Sequence, residues 1–129
     1  MSFLKKIFNN TEENQNISKV AWIPVTDLDQ LDDMADKSNE QSILIFKHST
    51  RCAISRMALK QFENEYNIAA DKMKLYFLDL LEYRSISNEI TERFGVVHQS
   101  PQLIVIKDGK AVYNASHSDI QAEDILNFV

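Results

Sequence analysis

One cysteine stands in 129 residues, so the chain cannot close an internal disulfide and must rely on a core. At this length a domain buries about two-thirds of the surface that its unfolded chain exposes, which is enough without metal or disulfide. Long hydrophobic runs are missing as well: no segment approaches the roughly 20 apolar residues that cross a bilayer. Positive charge is scarce, with 14 Lys and Arg against 19 Asp and Glu and a net charge of -5, which argues against a nucleic-acid partner. In Met1–Phe8, Lys5 and Lys6 interrupt the apolar run that a secretory leader needs. Together with the lone thiol this gives the expectation of a soluble, cytoplasmic protein with no membrane partner. Repeats, low-complexity tracts and internal linkers are all lacking. The expected organisation is a loosely ordered tail over residues 1–17, where Phe3, Leu4, Ile7 and Phe8 fall near helical spacing, followed by a single domain over residues 18–129.

Glycine and proline number two each, and each marks a boundary. Val20–Val25 reads as a short strand in which Pro24 favours an edge or an end. Thr26-Asp27-Leu28-Asp29 supplies a capping-box pattern for a helix whose apolar stripe is Leu28, Leu31, Met34 and Ala35, ending near Ser38-Asn39. Ser42–Phe46 is a buried strand, followed by a polar turn and a helix carrying Met57, Leu59, Phe62 and Tyr66. Lys74–Leu81 is apolar on both faces, as in a sheet covered on two sides. Ser87–Phe94 is a short helix with Gly95 as its left-handed stop. Gln102–Lys107 and Lys110–Asn114 flank an Asp108-Gly109 hairpin turn, and Ser118 with Gln121 caps a final helix reaching Phe128-Val129. The order is βα, βαβα, ββα: parallel pairing first and an antiparallel pair at the end, an α/β fold with a central mixed sheet and helices on both faces.

Cys52 falls where the helix after the central strand begins. A helix N-terminus carries unpaired N–H groups and partial positive charge, and Lys47, His48 and Arg51 lie within five residues. All of these favour the thiolate, the nucleophilic form, over an inert core thiol. Ser55 stands three residues on, where a dithiol oxidoreductase would carry its second cysteine. A hydroxyl cannot attack a mixed disulfide, so the chemistry stops at that adduct until an outside thiol completes it. Ser55 is placed either to donate a hydrogen bond to the sulfur or to solvate its own backbone.

His48 invites comparison with a Cys-His hydrolase, but no third group orients it, and strand-end solvation or a share in the local positive field is the alternative. His98 and His117 are scattered through loops and form no metal-ligand spacing with Cys52, so no metal site is expected. The acidic residues Asp27, Asp29, Asp32, Asp33 and Asp36 read as a solvated helix face.

The βαβ unit, connecting helix and closing ββα unit, with a cysteine after the second strand, resemble the thioredoxin fold, here with an N-terminal βα extension. Ser100-Pro101 directly before the hairpin resembles the cis-proline site of thioredoxin-like proteins. Phe46-Lys47-His48-Ser49-Thr50-Arg51-Cys52 followed by Ile54-Ser55 resembles a narrower group, the monothiol thioredoxin-like proteins of the bacillithiol system, or monothiol bacilliredoxins. One departure is visible: the family pattern is similar to Thr-Cys-Pro-Ile-Ser, and this chain has Arg51 before the cysteine and Ala53 after it.

The resemblance implies an enzyme that removes bacillithiol, a low-molecular-weight thiol, from oxidised protein cysteines under oxidative stress. Cys52 would attack and become capped, with Ser55 as its catalytic companion. Thr50, Arg51, Lys47, His48, Ser100 and Pro101 would contact substrate, with Arg51 and Lys47 supplying charge for the carboxylates of bacillithiol. No cofactor would be bound, bacillithiol serving as co-substrate. The partners would be bacillithiolated proteins, free bacillithiol or a reductase, acting on a monomer. Two other classes share the fold: a binding module using the groove around Pro101, and a redox-sensing adaptor in which modified Cys52 is a signal.

Overall fold

A strand that is apolar on both faces needs cover on both, and the middle of this sheet has it. The computed structural model describes residues 20–129, so the tail expected over residues 1–17 lies outside the described residues. In chain order the elements are β1 (Ile23–Pro24), α1 (Asp29–Lys37), β2 (Ser42–His48), α2 (Ala53–Glu65), β3 (Met73–Asp79), α3 (Arg84–Phe94), β4 (Gln102–Lys107) and β5 (Lys110–Ser116). Two 3-10 segments follow, His117–Asp119 and Ala122–Phe128. The sheet order is β1-β3-β2-β4-β5, with β3 parallel to β1 and β2, and β4 antiparallel to β2 and β5. Pro24, which has no N–H to give a ladder, accordingly sits on an edge strand.

Side chains alternate along each strand, which splits the core in two. Leu44, Phe46, Leu75, Leu103 and Val105 pack on Phe62 and Tyr66 and on Ile120 and Ile125 near the C-terminus. Ile43, Ile45, Leu78, Ile104 and Ile106 pack on Leu31 and Met34 of α1 and on Ile86 and Ile90 of α3. Adjacent residues of β2 therefore serve opposite faces, and this alternation decides the fate of Lys47 and His48 below.

Gly95 ends α3 in the left-handed conformation at φ 67°, and the β4–β5 turn has Asp108 and Gly109 at φ 53° and 77°. Positive φ at both central positions is the hairpin turn whose twist matches its strands.

Three local expectations are corrected. The box at the start of α1 is shifted by one residue: Asp27 Oδ1 accepts the Asp29 N–H at 2.9 Å, and Gln30 Oε1 accepts those of Asp27 and Thr26 at 3.0 and 2.7 Å. The amide of Gln30 reaches back where the carboxylate of Asp29, one residue earlier, does not. Met57 is 71% exposed and lies outside the core stripe of α2. The final helix is not an α-helix: the chain after β5 makes two 3-10 segments with no side-chain cap from Ser118. There the chain must turn straight off β5, with His117 at φ 54° and its N–H bonded to Pro101 O at 3.1 Å, and packing of Ala122 and Ile125 outweighs the capping signal.

Candidate active site around Cys52

β2 runs out of the sheet at His48, the chain turns through Ser49, Thr50 and Arg51, and α2 starts at Ala53. Cys52 is the N-cap, extended at φ -106° and ψ 121°, and partly exposed. Its side chain thus occupies the position that in other helices accepts an N–H of the first turn. Two bonds close the turn behind it: Cys52 N–H to Ser49 O at 3.2 Å, and Arg56 N–H to Cys52 O at 3.1 Å. The Arg56 guanidinium also bonds Thr50 O at 3.2 Å. Thr50 and Arg51 themselves are exposed on the turn.

Ser55 is fully buried on the first turn of α2. Neither expectation for it holds. Its Oγ accepts the Ser49 N–H at 3.0 Å and lies 2.8 Å from His48 Nδ1, so its two partners are the preceding turn and the imidazole rather than the sulfur or its own helix backbone. His48 points toward α2 because it shares the β2 face of Leu44 and Phe46. It is buried against Phe77, with ring centroids 5.3 Å apart. Burial holds its pKa below the ordinary value, against the opposing charge of Asp79 opposite it on β3.

Lys47 belongs to the other face, and its expected place as surface charge for a carboxylate is corrected. It is 0% exposed, and Nζ lies 2.8 Å from His98 Nδ1. Burial pushes its pKa down to about 8. His98 is likewise lowered, chiefly by burial and then by the charges of Lys47 and Arg84. Next to Lys47 in the β2–β4 register, Gln102 is also buried. Its amide donates to Val97 O at 3.0 Å and accepts the Gln99 N–H at 3.3 Å. Lys47 and Gln102 together staple the loop 96–101 to the sheet from below.

That loop carries Ser100 and Pro101, and the peptide between them is cis. The Ser100 hydroxyl is buried with no hydrogen-bond partner. Ile54 is 60% exposed and, with Met57, Ala58, His117 and Ile120, lines an apolar groove of about 200 Å³. His98, Gln102 and His117 were not singled out as site residues by the sequence. They lie between 46 and 65 positions from Cys52, and only strand pairing brings their segments to this end of the sheet. Among the described residues no group of three or more His, Cys, Asp or Glu could hold a metal.

Comparison with known proteins agrees with this arrangement. A solved structure described as a candidate oxidoreductase with a thioredoxin fold is 27% identical, with a TM-score of 0.68 over 81% of this chain and 90% of its own. The thioredoxins of Malassezia sympodialis and Fasciola hepatica, 17% and 15% identical, superpose with TM-scores of 0.63 and 0.61. They cover 86% and 81% of this chain and 90% and 92% of their own, which establishes the thioredoxin fold. Residues 23–125 match the family model described as Monothiol bacilliredoxin BrxC, and the chain belongs to the monothiol bacilliredoxin family of thioredoxin-like redox proteins.

Proposed function

We propose that this protein is a monothiol oxidoreductase that removes bacillithiol from protein mixed disulfides through Cys52. The observation that carries the reading is the pairing of a partly exposed thiol at a helix N-cap with a serine, three residues on, whose hydroxyl is tied to His48 and Ser49. The first favours attack, and the second leaves no internal thiol to resolve the product.

Cys52 thiolate attacks the bacillithiol sulfur of a protein–bacillithiol disulfide. One S–S bond forms to Cys52 as the old one breaks, and the released protein thiolate takes a proton from solvent. A second bacillithiol, or a reductase thiol, then attacks the Cys52 adduct, returning Cys52 as thiolate and leaving with the oxidised sulfur. Ser100 and Pro101 hold the incoming segment strand-like beside the sulfur through the backbone of their loop. Arg51 and Thr50, exposed on the turn, face the small-thiol half, and Arg51 supplies charge for its carboxylates. Lys47 and His48 support the loop and the turn from beneath.

The test is mass spectrometry of reduced protein mixed with bacillithiol disulfide, alongside glutathione and coenzyme A disulfides. Gain of one bacillithiol mass on the wild type and none on Cys52→Ser is expected. A folded wild type that gains no adduct from bacillithiol disulfide refutes the reading.

A further inference from the structure

A continuous path of hydrogen bonds joins the sheet to the residue that bears the thiol. The His48 carbonyl accepts the Leu80 N–H at 3.0 Å, fixing the end of β2 beside β3. The His48 ring meets Ser55 Oγ at 2.8 Å, and Ser55 Oγ holds the Ser49 N–H at 3.0 Å. The Ser49 carbonyl in turn holds the Cys52 N–H at 3.2 Å. His48 and Ser55 are both buried, so water does not compete for these bonds. A first-turn serine ordinarily spends its hydroxyl on solvent or on its own helix. Here the hydroxyl bridges the last residue of a strand to the loop that presents Cys52.

We propose that His48 is a positioning residue for the Cys52 thiol and acts on it through Ser55. This rests on the reading of Cys52 as the attacking thiol. The neutral imidazole accepts the Ser55 proton at Nδ1 and carries its own proton on Nε2. Ser55 Oγ, oriented by that bond, turns its lone pair to Ser49. The turn 49–52 is thereby held at the geometry that places Cys52 at the N-cap of α2, at the end of the helix where the first-turn N–H groups are unpaired. The serine that replaces a resolving thiol is then the brace of the site rather than a remnant of a dithiol.

The test uses the full-length protein and a generic electrophile, so that it does not depend on bacillithiol. Iodoacetamide alkylation of Cys52 is followed against pH in wild type, Ser55→Ala, His48→Phe, the double variant and His48→Asn. Each of the first two substitutions is expected to slow alkylation at pH 7 about tenfold. The double variant falls no further than the singles, because both cut the same path. His48→Asn, whose side-chain oxygen accepts where Nδ1 did, recovers the wild-type profile to within about twofold. Additive losses in the double variant, or an unchanged profile in folded His48→Phe, overturn the proposal. If His48→Phe does not fold, nitrogen NMR of the wild-type imidazole decides. An unprotonated Nδ1 whose resonance moves in Ser55→Ala supports the brace, and a protonated Nδ1 overturns it. An inert wild-type thiol would remove the reading of Cys52 as attacking group, and this proposal with it.

Discussion

Lys47→Met should make the protein more stable at neutral pH, and the gain should disappear in alkali. Lys47 is fully buried, its ammonium has His98 Nδ1 as its side-chain partner, and burial pushes its pKa from 10.5 down to about 8. A displacement of that size corresponds to about 3 kcal/mol against the charged form at pH 7, each tenfold change being worth about 1.4 kcal/mol. Methionine keeps the straight-chain bulk and removes the charge, at the loss of one hydrogen bond worth about 1 to 1.5 kcal/mol. The net expectation is a gain of about 2 kcal/mol at pH 7. Between about pH 8 and 10.5 the unfolded chain holds a proton that the folded one has released, so wild-type stability rises with pH by about 1.4 kcal/mol per unit from this group alone. Tyr66 and Tyr76, whose pKa values burial raises, are common to both proteins and cancel in the difference. Urea denaturation reports it cleanly, because the single Trp22 packs among Phe46, Phe62 and Phe77 within 6.0 Å and its emission follows unfolding. A difference between the two proteins that stays constant from pH 7 to 10.5 would refute the assignment of a strained, buried ammonium.

Acid should weaken the fold in a separate window. His48 and His98 are both held below the ordinary histidine range by burial, so below about pH 6.5 the unfolded chain binds protons that the folded one resists. Stability should fall from pH 6.5 to 5, and a flat denaturation midpoint there would contradict the burial of neutral imidazoles. Gly95→Ala should cost about 1 kcal/mol: a Cβ there meets nothing within 4 Å, leaving only the penalty of the left-handed backbone at φ 67°. Thermal unfolding checks it, and a neutral result would mean that the α3 terminus relaxes. Arg51→Ala should slow reaction with bacillithiol disulfide about two- to fivefold at low salt while sparing an uncharged disulfide, the difference shrinking as salt screens the charge. Equal effects on both substrates would remove Arg51 from carboxylate recognition.

The alternation of elements, the doubly apolar strands, the Asp108-Gly109 turn and the position of Cys52 before a helix were legible in the sequence. Each is set by short-range chemistry: side-chain period, positive φ, or the unpaired N–H groups of a helix start. Most of the corrections are matters of which way a side chain points. Lys47 and His48 are neighbours with similar local prospects as polar strand-end residues. The pleat sends one beneath the loop of Pro101 and the other to Ser55. Ser55 was readable as the residue that replaces a resolving thiol, yet its partners were not, because they depend on where β2 ends relative to α2. The C-terminal helix signal was local and weak, and the demand that the chain turn directly off β5 at His117 overrode it. Sequence by itself determined that there would be one thiol, at the start of a helix, and no second to resolve it. Tertiary structure alone decided the partners of Lys47, His48 and Ser55: contacts across 7 to 51 residues of chain, which no local pattern encodes.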